Sequence, residues 1–143
     1  VEKIYWAIVK NKPEKHKDSL INWLKKNPKN NKSTAYRKQV NQSKRAILHY
    51  QLIHSMDRYH LIEVKLETGR HHQIRSQLSN IGSPIKGDLK YGFDRSNPDG
   101  SIHLHAQKIS FTHPVNEQKI SIIAPTPNDI LWSECSSKTN TKP

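Results

Sequence analysis

Thr68-Gly69-Arg70 is followed by His71, His72, Gln73 and Arg75, and then by a break at Gly82-Ser83-Pro84. These residue types bind anions. A guanidinium makes paired hydrogen bonds to a carboxylate or phosphate, and histidine and glutamine add further donors. Gly69 allows close approach to the backbone. A helix from Arg70 to Asn80 would present unpaired backbone N–H groups beside Arg70 and His72, with Arg75 about one turn further in. An ordinary basic surface helix satisfies the same spacing, because a short cationic motif alone decides nothing.

The flanking pattern supplies elements to position these groups. Ile62, Val64 and Leu66 alternate with Glu63, Lys65 and Glu67, which predicts a half-buried strand from Tyr59 to Glu67. Ser55-Met56-Asp57-Arg58 turns it back onto an earlier strand carrying Ala46, Leu48, Tyr50 and Leu52. In the helix, Ile74, Leu78 and Ile81 share a face and Gly82 is placed to stop it. Residues 4–9 (IYWAIV) are apolar on both faces and predict a buried central strand, some of whose neighbours could lie upstream. Asp18 is expected to cap a short helix with Leu20, Ile21 and Leu24 inward, ended by Asn27-Pro28. Residues 25–45 read as an exposed basic loop or hairpin. Residues 102–111 and 119–124 read as an antiparallel pair, with Pro125 and Pro127 ending the sheet. We expect one domain over residues 1–133 and a disordered tail over 134–143.

The 143 residues suffice for one domain with a modest core, and 33% are hydrophobic. The net charge is +12. Residues 1–50 hold thirteen Lys/Arg against three Asp/Glu, so the excess lies in the first third. Such a surface suits a polyanion such as RNA, although a merely solvated basic surface has the same composition. The single cysteine, Cys135, permits no internal disulfide and suits a cytoplasmic location. No apolar run approaches the ~18 residues of a membrane span. Val1 is not methionine, so we expect the chain to begin inside a longer protein or after processing.

The 25-residue block TGRHHQIRSQLSNIGSPIKGDLKYG, residues 68–92, resembles the signature of the RluA-type RNA pseudouridine synthases, TGR-x-HQIR, x-HL and GHPI-x-GD-x-x-YG. It departs at Gln77 and Ser83, where that family often has histidine. Lys3 to Val9 is similar to the family's K-x-Y-x-A-x-V strand. Leu104-His105-Ala106, Phe111, His113-Pro114 and Ala124-Pro125 are similar to its ending. The resemblance covers nearly the whole chain. It implies an α+β fold, a mostly antiparallel mixed sheet with two helices, as part of the synthase catalytic domain.

The resemblance further implies isomerisation of uridine to pseudouridine in structured rRNA or tRNA, with no cofactor, by a protein monomeric at full length. It implies that Arg75 pairs with a catalytic Asp and that Tyr5 stacks on the uracil, with Trp6 facing the core. The family's nucleophilic Asp lies in an HRLD-type motif upstream of the first strand. None of Asp18, Asp57, Asp88, Asp94, Asp99 and Asp129 has that context, and Asp88 corresponds to a loop-fixing position. The chain alone is therefore expected to be inactive. Arg70, His72 and Gln73 are expected to organise the turn or touch RNA. Lys86 is either a phosphate contact or a solvated lysine. The basic segment 25–45 either contacts phosphates or is a solvated insertion.

A metal site is not expected. His71 and His72 are adjacent, so they cannot face one ion from a helix, and His103 with His105 gives too few ligands. His105 is expected to be packed and hydrogen-bonded. The competing function class is a non-catalytic RNA-binding module using the same cleft and basic surface.

Overall fold

The computed structural model describes residues 1–139; the expected tail residues 140–143 lie outside the described residues. The chain forms seven strands: β1 (Glu2–Val9), β2 (Lys17–Asn27), β3 (Lys32–Tyr36), β4 (Lys44–Ser55), β5 (His60–Leu66), β6 (Leu104–Thr112) and β7 (Lys119–Ile123). Helix α1 (Gln73–Asn80) follows β5 and helix α2 (Ile130–Thr139) follows β7. The sheet order is β3-β2-β4-β5-β1-β6-β7, and every neighbouring pair is antiparallel.

β1 is central and buried, as its two-faced apolar sequence predicts. Both of its edges are filled from within this chain, by β5 and β6, rather than from upstream. Its alternation divides the core. Ala7 and Val9 join Leu20, Leu48, Ile62, Val64, Ile74, Leu78 and Ile85 under α1. Trp6 and Ile8 join Leu61, Trp132 and Cys135 under α2. Trp6 thus faces the core opposite Tyr5, whose ring packs against the α1 cluster.

Two expectations fail. Residues 17–27 form β2, not an Asp18-capped helix. Leu20, Ile21 and Leu24 fit a helix face, but Leu20, Asn22 and Leu24 are the buried set, which is period two. β4 offers β2 an unpaired edge across eight registered pairs, from Lys17↔Gln51 to Leu24↔Lys44. Those ladder bonds override a short helical spacing. Asp18 Oδ1 instead accepts a bond from the N–H of Ser19. Residues 25–45 are partly the β2–β3 hairpin.

The second failure is the tail. Residues 134–139, expected to be disordered, continue α2, because Trp132 and Cys135 bury against the sheet. Asp129 caps α2: its Oδ1 accepts from the N–H groups of Leu131 and Trp132 at 2.8 and 3.3 Å, and its Oδ2 lies 3.1 Å from His103 Nε2. Burial pushes the Cys135 thiol up to about 12, so it stays protonated.

α1 begins at Gln73 rather than Arg70. It ends in the expected glycine stop. Gly82 has φ 86°, its N–H donates to Ser79 O, and that of Ser83 donates to Leu78 O. Gln77, one of the two departures from the family pattern, is fully buried. Its Nε2 donates to Asn22 Oδ1 at 2.9 Å and to Leu20 O at 3.2 Å, tying α1 to β2. No helix among the described residues is long and apolar enough to cross a membrane.

Candidate active site

The Thr68–His72 turn is fastened to the start of β4. The N–H groups of Glu67 and Thr68 donate to Ile47 O, and Thr68 Oγ1 accepts from Ile47 N at 2.9 Å. Gln73 Oε1 then accepts from Thr68 Oγ1 at 2.8 Å and from Arg70 N at 2.9 Å. Gln73 is therefore a turn organiser, and it is almost wholly buried. Arg70 points out of the turn and its Nε donates to Arg45 O at 2.8 Å.

His72 is left-handed (φ 54°) and N-caps α1, so His71 and His72 precede the helix instead of lying on it. Their rings stack at 3.7 Å. His72 Nε2 lies 3.0 Å from Arg75 Nη1. Arginine only donates, so Nε2 is the acceptor and Nδ1 carries the proton. That Nδ1–H donates to Tyr91 Oη at 2.7 Å, which also accepts from Ser33 N at 2.8 Å. Ser33 Oγ is 3.0 Å from His71 Nδ1, and Ser76 Oγ donates to Ser33 O. The edge strand β3 is thereby tied at Ser33 to α1, His71 and Tyr91.

Arg75 is the centre of this network. Its Nε donates to Asp88 Oδ2 and its Nη2 to Asp88 Oδ1, both at 2.8 Å. The guanidinium lies 4.9 Å from the Tyr91 ring centre. Asp88 is almost inaccessible, with 1% of its side chain exposed against 20% for Arg75. The carboxylate expected to meet Arg75 was one from outside the chain. The structure supplies one from within it, at a position the resemblance gave only a loop-fixing role. Three of the five guanidinium N–H groups are used in these bonds, leaving two for a ligand.

Asp88 is presented by a tight backbone. Gly87 has φ 85°, and a Cβ there would lie 2.5 Å from Asn97 Nδ2 and 2.9 Å from Ser101 O. The Leu89–Tyr91 3₁₀ turn then carries Tyr91 back under Arg75. The GD-x-x-YG run is thus the signal that could have located Asp88 and Tyr91 in the site. Ser33 had no signal, since its role depends on where β3 docks.

A cleft of about 290 Å³ opens at this point. Tyr5, Arg70, His72, Gln73 and Arg75 all line it, with Leu66, Ile74 and Leu104 as apolar walls and Lys3 at the rim. β6 carries one extra residue, Gln107, opposite the Ile4–Tyr5 step of β1, while β1 stays in regular register with β5, which places Tyr5 opposite Val64. Lys86 is not brought here. Its Nζ donates to Asn97 Oδ1 at 2.7 Å and sits 5.7 Å from the Tyr59 ring centre, among groups of the α2 side. His105 donates to Ala124 O at 3.2 Å and meets Trp132 edge-on. Among the described residues, no three His, Cys, Asp or Glu side chains are placed to hold a metal.

Desolvation, with the positive charge of Arg75 next, lowers His72 from 6.5 to about 4. Desolvation also lowers His60, His71 and His103. The unfolded chain takes up these protons as pH falls below about 6.5, whereas folded His72 resists until about 4. Stability is therefore expected to be highest above pH 6.5 and to fall steadily toward pH 4, with His72→Gln giving a shallower slope. Thermal melts across this range check it; a midpoint independent of pH there would refute the neutral imidazole at His72.

The sequence pattern of the RNA pseudouridylate synthase family matches residues 1–80. An uncharacterized RNA pseudouridine synthase of Chlorobaculum parvum is 33% identical over 147 aligned positions, covering 91% of this chain and 45% of that protein. The ribosomal large subunit pseudouridine synthase D of Zymomonas mobilis is 35% identical over 61% of this chain and 30% of its own length. Among solved structures, human RNA pseudouridylate synthase domain containing 4 superposes with a TM-score of 0.71 at 20% identity. It covers 97% of this chain and 62% of that one, and shares the fold. The chain belongs to the RNA pseudouridylate synthase family, of the RluA type. It spans less than half the length of these two curated relatives.

Proposed function

We propose that this chain forms the receiving half of a uridine-isomerising site acting on structured rRNA or tRNA in the cytoplasm, in a protein that is monomeric at full length. The observation that carries the reading is the cleft itself. An aromatic side chain, Tyr5, lines it together with a guanidinium, Arg75, that is already fixed in place with two N–H groups unused by those bonds. A flipped-out uracil fits such a cleft: Tyr5 stacks on the ring, and Leu66 and Leu104 exclude water around it. In the reaction the C1′–N1 bond breaks with the help of an attacking carboxylate, the uracil turns, and C1′–C5 forms. C5 then gives up its hydrogen and N1 gains one, so the product is an isomer.

The attacking carboxylate is assigned to a segment outside these residues. None of the six aspartates lines the cleft, and Asp88 is committed to Arg75. The free Nη donors of Arg75 are the groups that would hold the incoming carboxylate ionised and aimed. Arg70 also lines the cleft, and we assign it to the RNA backbone.

The test is tritium release from RNA carrying 5-tritiated uridine. The 143-residue chain alone is expected to release none. Turnover by it would overturn the external carboxylate. A non-catalytic RNA-binding role is favoured by one observation, that the carboxylate paired with Arg75 is the chain's own Asp88. Tritium release by a longer form bearing an HRLD segment would exclude that role.

A further inference from the structure

From residue 19 to residue 56 the chain contains six lysines and two arginines and no Asp or Glu. These residues build β2, β3 and most of β4. Antiparallel partners in register point to the same side of a sheet. Trp23 pairs with Tyr36 on β3 and with Arg45 on β4, so Tyr36, Trp23 and Arg45 form one row across three strands. The next pairs on that side are Lys25↔Thr34 and Ile21↔Ile47. Leu24, Ala35 and Lys44 alternate to the α1 side. The row therefore lies on the face opposite the cleft.

This part of the face is open. α2 covers β1 and β5 there and reaches β4 only near His54, which pairs with Glu134 at 3.0 Å. Ile21 is 46% exposed and Tyr36 39%. Glu67 on the same face is held by His49 at 2.6 Å. None of the ion pairs among the described residues involves Lys25, Arg37, Lys38 or Arg45. An aromatic pair on a sheet, flanked by unneutralised cations, suits a ligand with flat π faces and a chain of negative charges.

We propose that the Tyr36–Trp23–Arg45 face is a stacking platform for unpaired nucleotides of the RNA strand. It rests on the reading of the chain as an RNA-acting protein. The path from the cleft is short: Arg70 lines the cleft and donates to the Arg45 carbonyl at 2.8 Å, so the two arginines meet at the same end of the sheet. A strand leaving the cleft past Arg70 turns over that end onto Arg45 and Trp23. Bases stack on Trp23 and Tyr36, while Lys25, Arg37 and Lys38 take phosphates.

The experiment measures binding of fluorescently labelled octauridylate and of an abasic octamer of equal charge, by anisotropy at fixed salt. Trp23→Ala and Tyr36→Ala are each expected to weaken octauridylate about tenfold and to leave the abasic octamer unchanged. Trp6 and Trp132 are 7% and 3% exposed, so quenching of tryptophan fluorescence by octauridylate reports Trp23. Unchanged octauridylate affinity in the soluble Tyr36→Ala variant would overturn the platform. So would equal losses for both ligands, or a dimer that dissociates in Trp23→Ala while RNA affinity holds. Arg75→Lys tests the cleft separately. Loss of isomerisation with Trp23-dependent binding intact bears on the cleft alone; loss of that binding in Trp23→Ala with isomerisation of a minimal substrate intact bears on the platform alone.

Discussion

Arg75→Met and Asp88→Ala are each expected to lower stability by about 3 kcal/mol, whereas the double variant Arg75→Met/Asp88→Leu recovers most of the loss. Removing one partner leaves the other desolvated and unpaired, which is the costly event. Asp88 is the more severe case in the Arg75→Met background, because its carboxylate is almost wholly enclosed. Replacing both by apolar groups removes the orphan charge along with the attraction. The loop around Asp88 survives the change, since its turn is held by backbone bonds from Phe93 N and Tyr91 N to Asp88 O. Urea unfolding of the four proteins gives the coupling energy directly. Additive losses in the double variant would show that the pair contributes little beyond its packing.

The second large effect is catalytic. In the active form proposed above, Arg75→Lys is expected to lower turnover by about three orders of magnitude, equivalent to about 4 kcal/mol of barrier. It should leave RNA affinity nearly unchanged. A lysine keeps the charge but has one nitrogen. It cannot span both Asp88 oxygens, donate to His72 Nε2 and still direct two N–H groups into the cleft. Its effect is therefore read in kcat rather than in binding. Near-normal tritium release by Arg75→Lys would remove the guanidinium from the reaction and leave it a purely structural tie.

The elements read correctly are those in which local pattern and tertiary need agree. β1 is apolar on both faces because it is central between β5 and β6. The β4–β5 and β6–β7 pairs form as antiparallel neighbours, and α1 carries its glycine stop. β2 was misread because Leu20, Ile21 and Leu24 satisfy a helix and a strand alike, and the deciding factor was the vacant edge of β4. The end of α2 was misread because Trp132 and Cys135 look like isolated apolar residues in a polar tail until the face under them is known.

The residue types at positions 68–92 by themselves pointed to a cationic turn and helix, without deciding between a ligand cleft and an ordinary basic surface helix. They also determined its family, because the order of glycines, prolines and charged residues there is a backbone requirement written directly in the sequence. They did not determine which anion Arg75 holds. That depends on the Gly87–Tyr91 turn folding back over α1, so that residues 13 apart in sequence share two 2.8 Å bonds. Nor did they determine that Tyr36, Trp23 and Arg45 share one row, or that Arg70 touches Arg45. Both follow from strand register, which is fixed by burial of the opposite face and not by the exposed residues themselves.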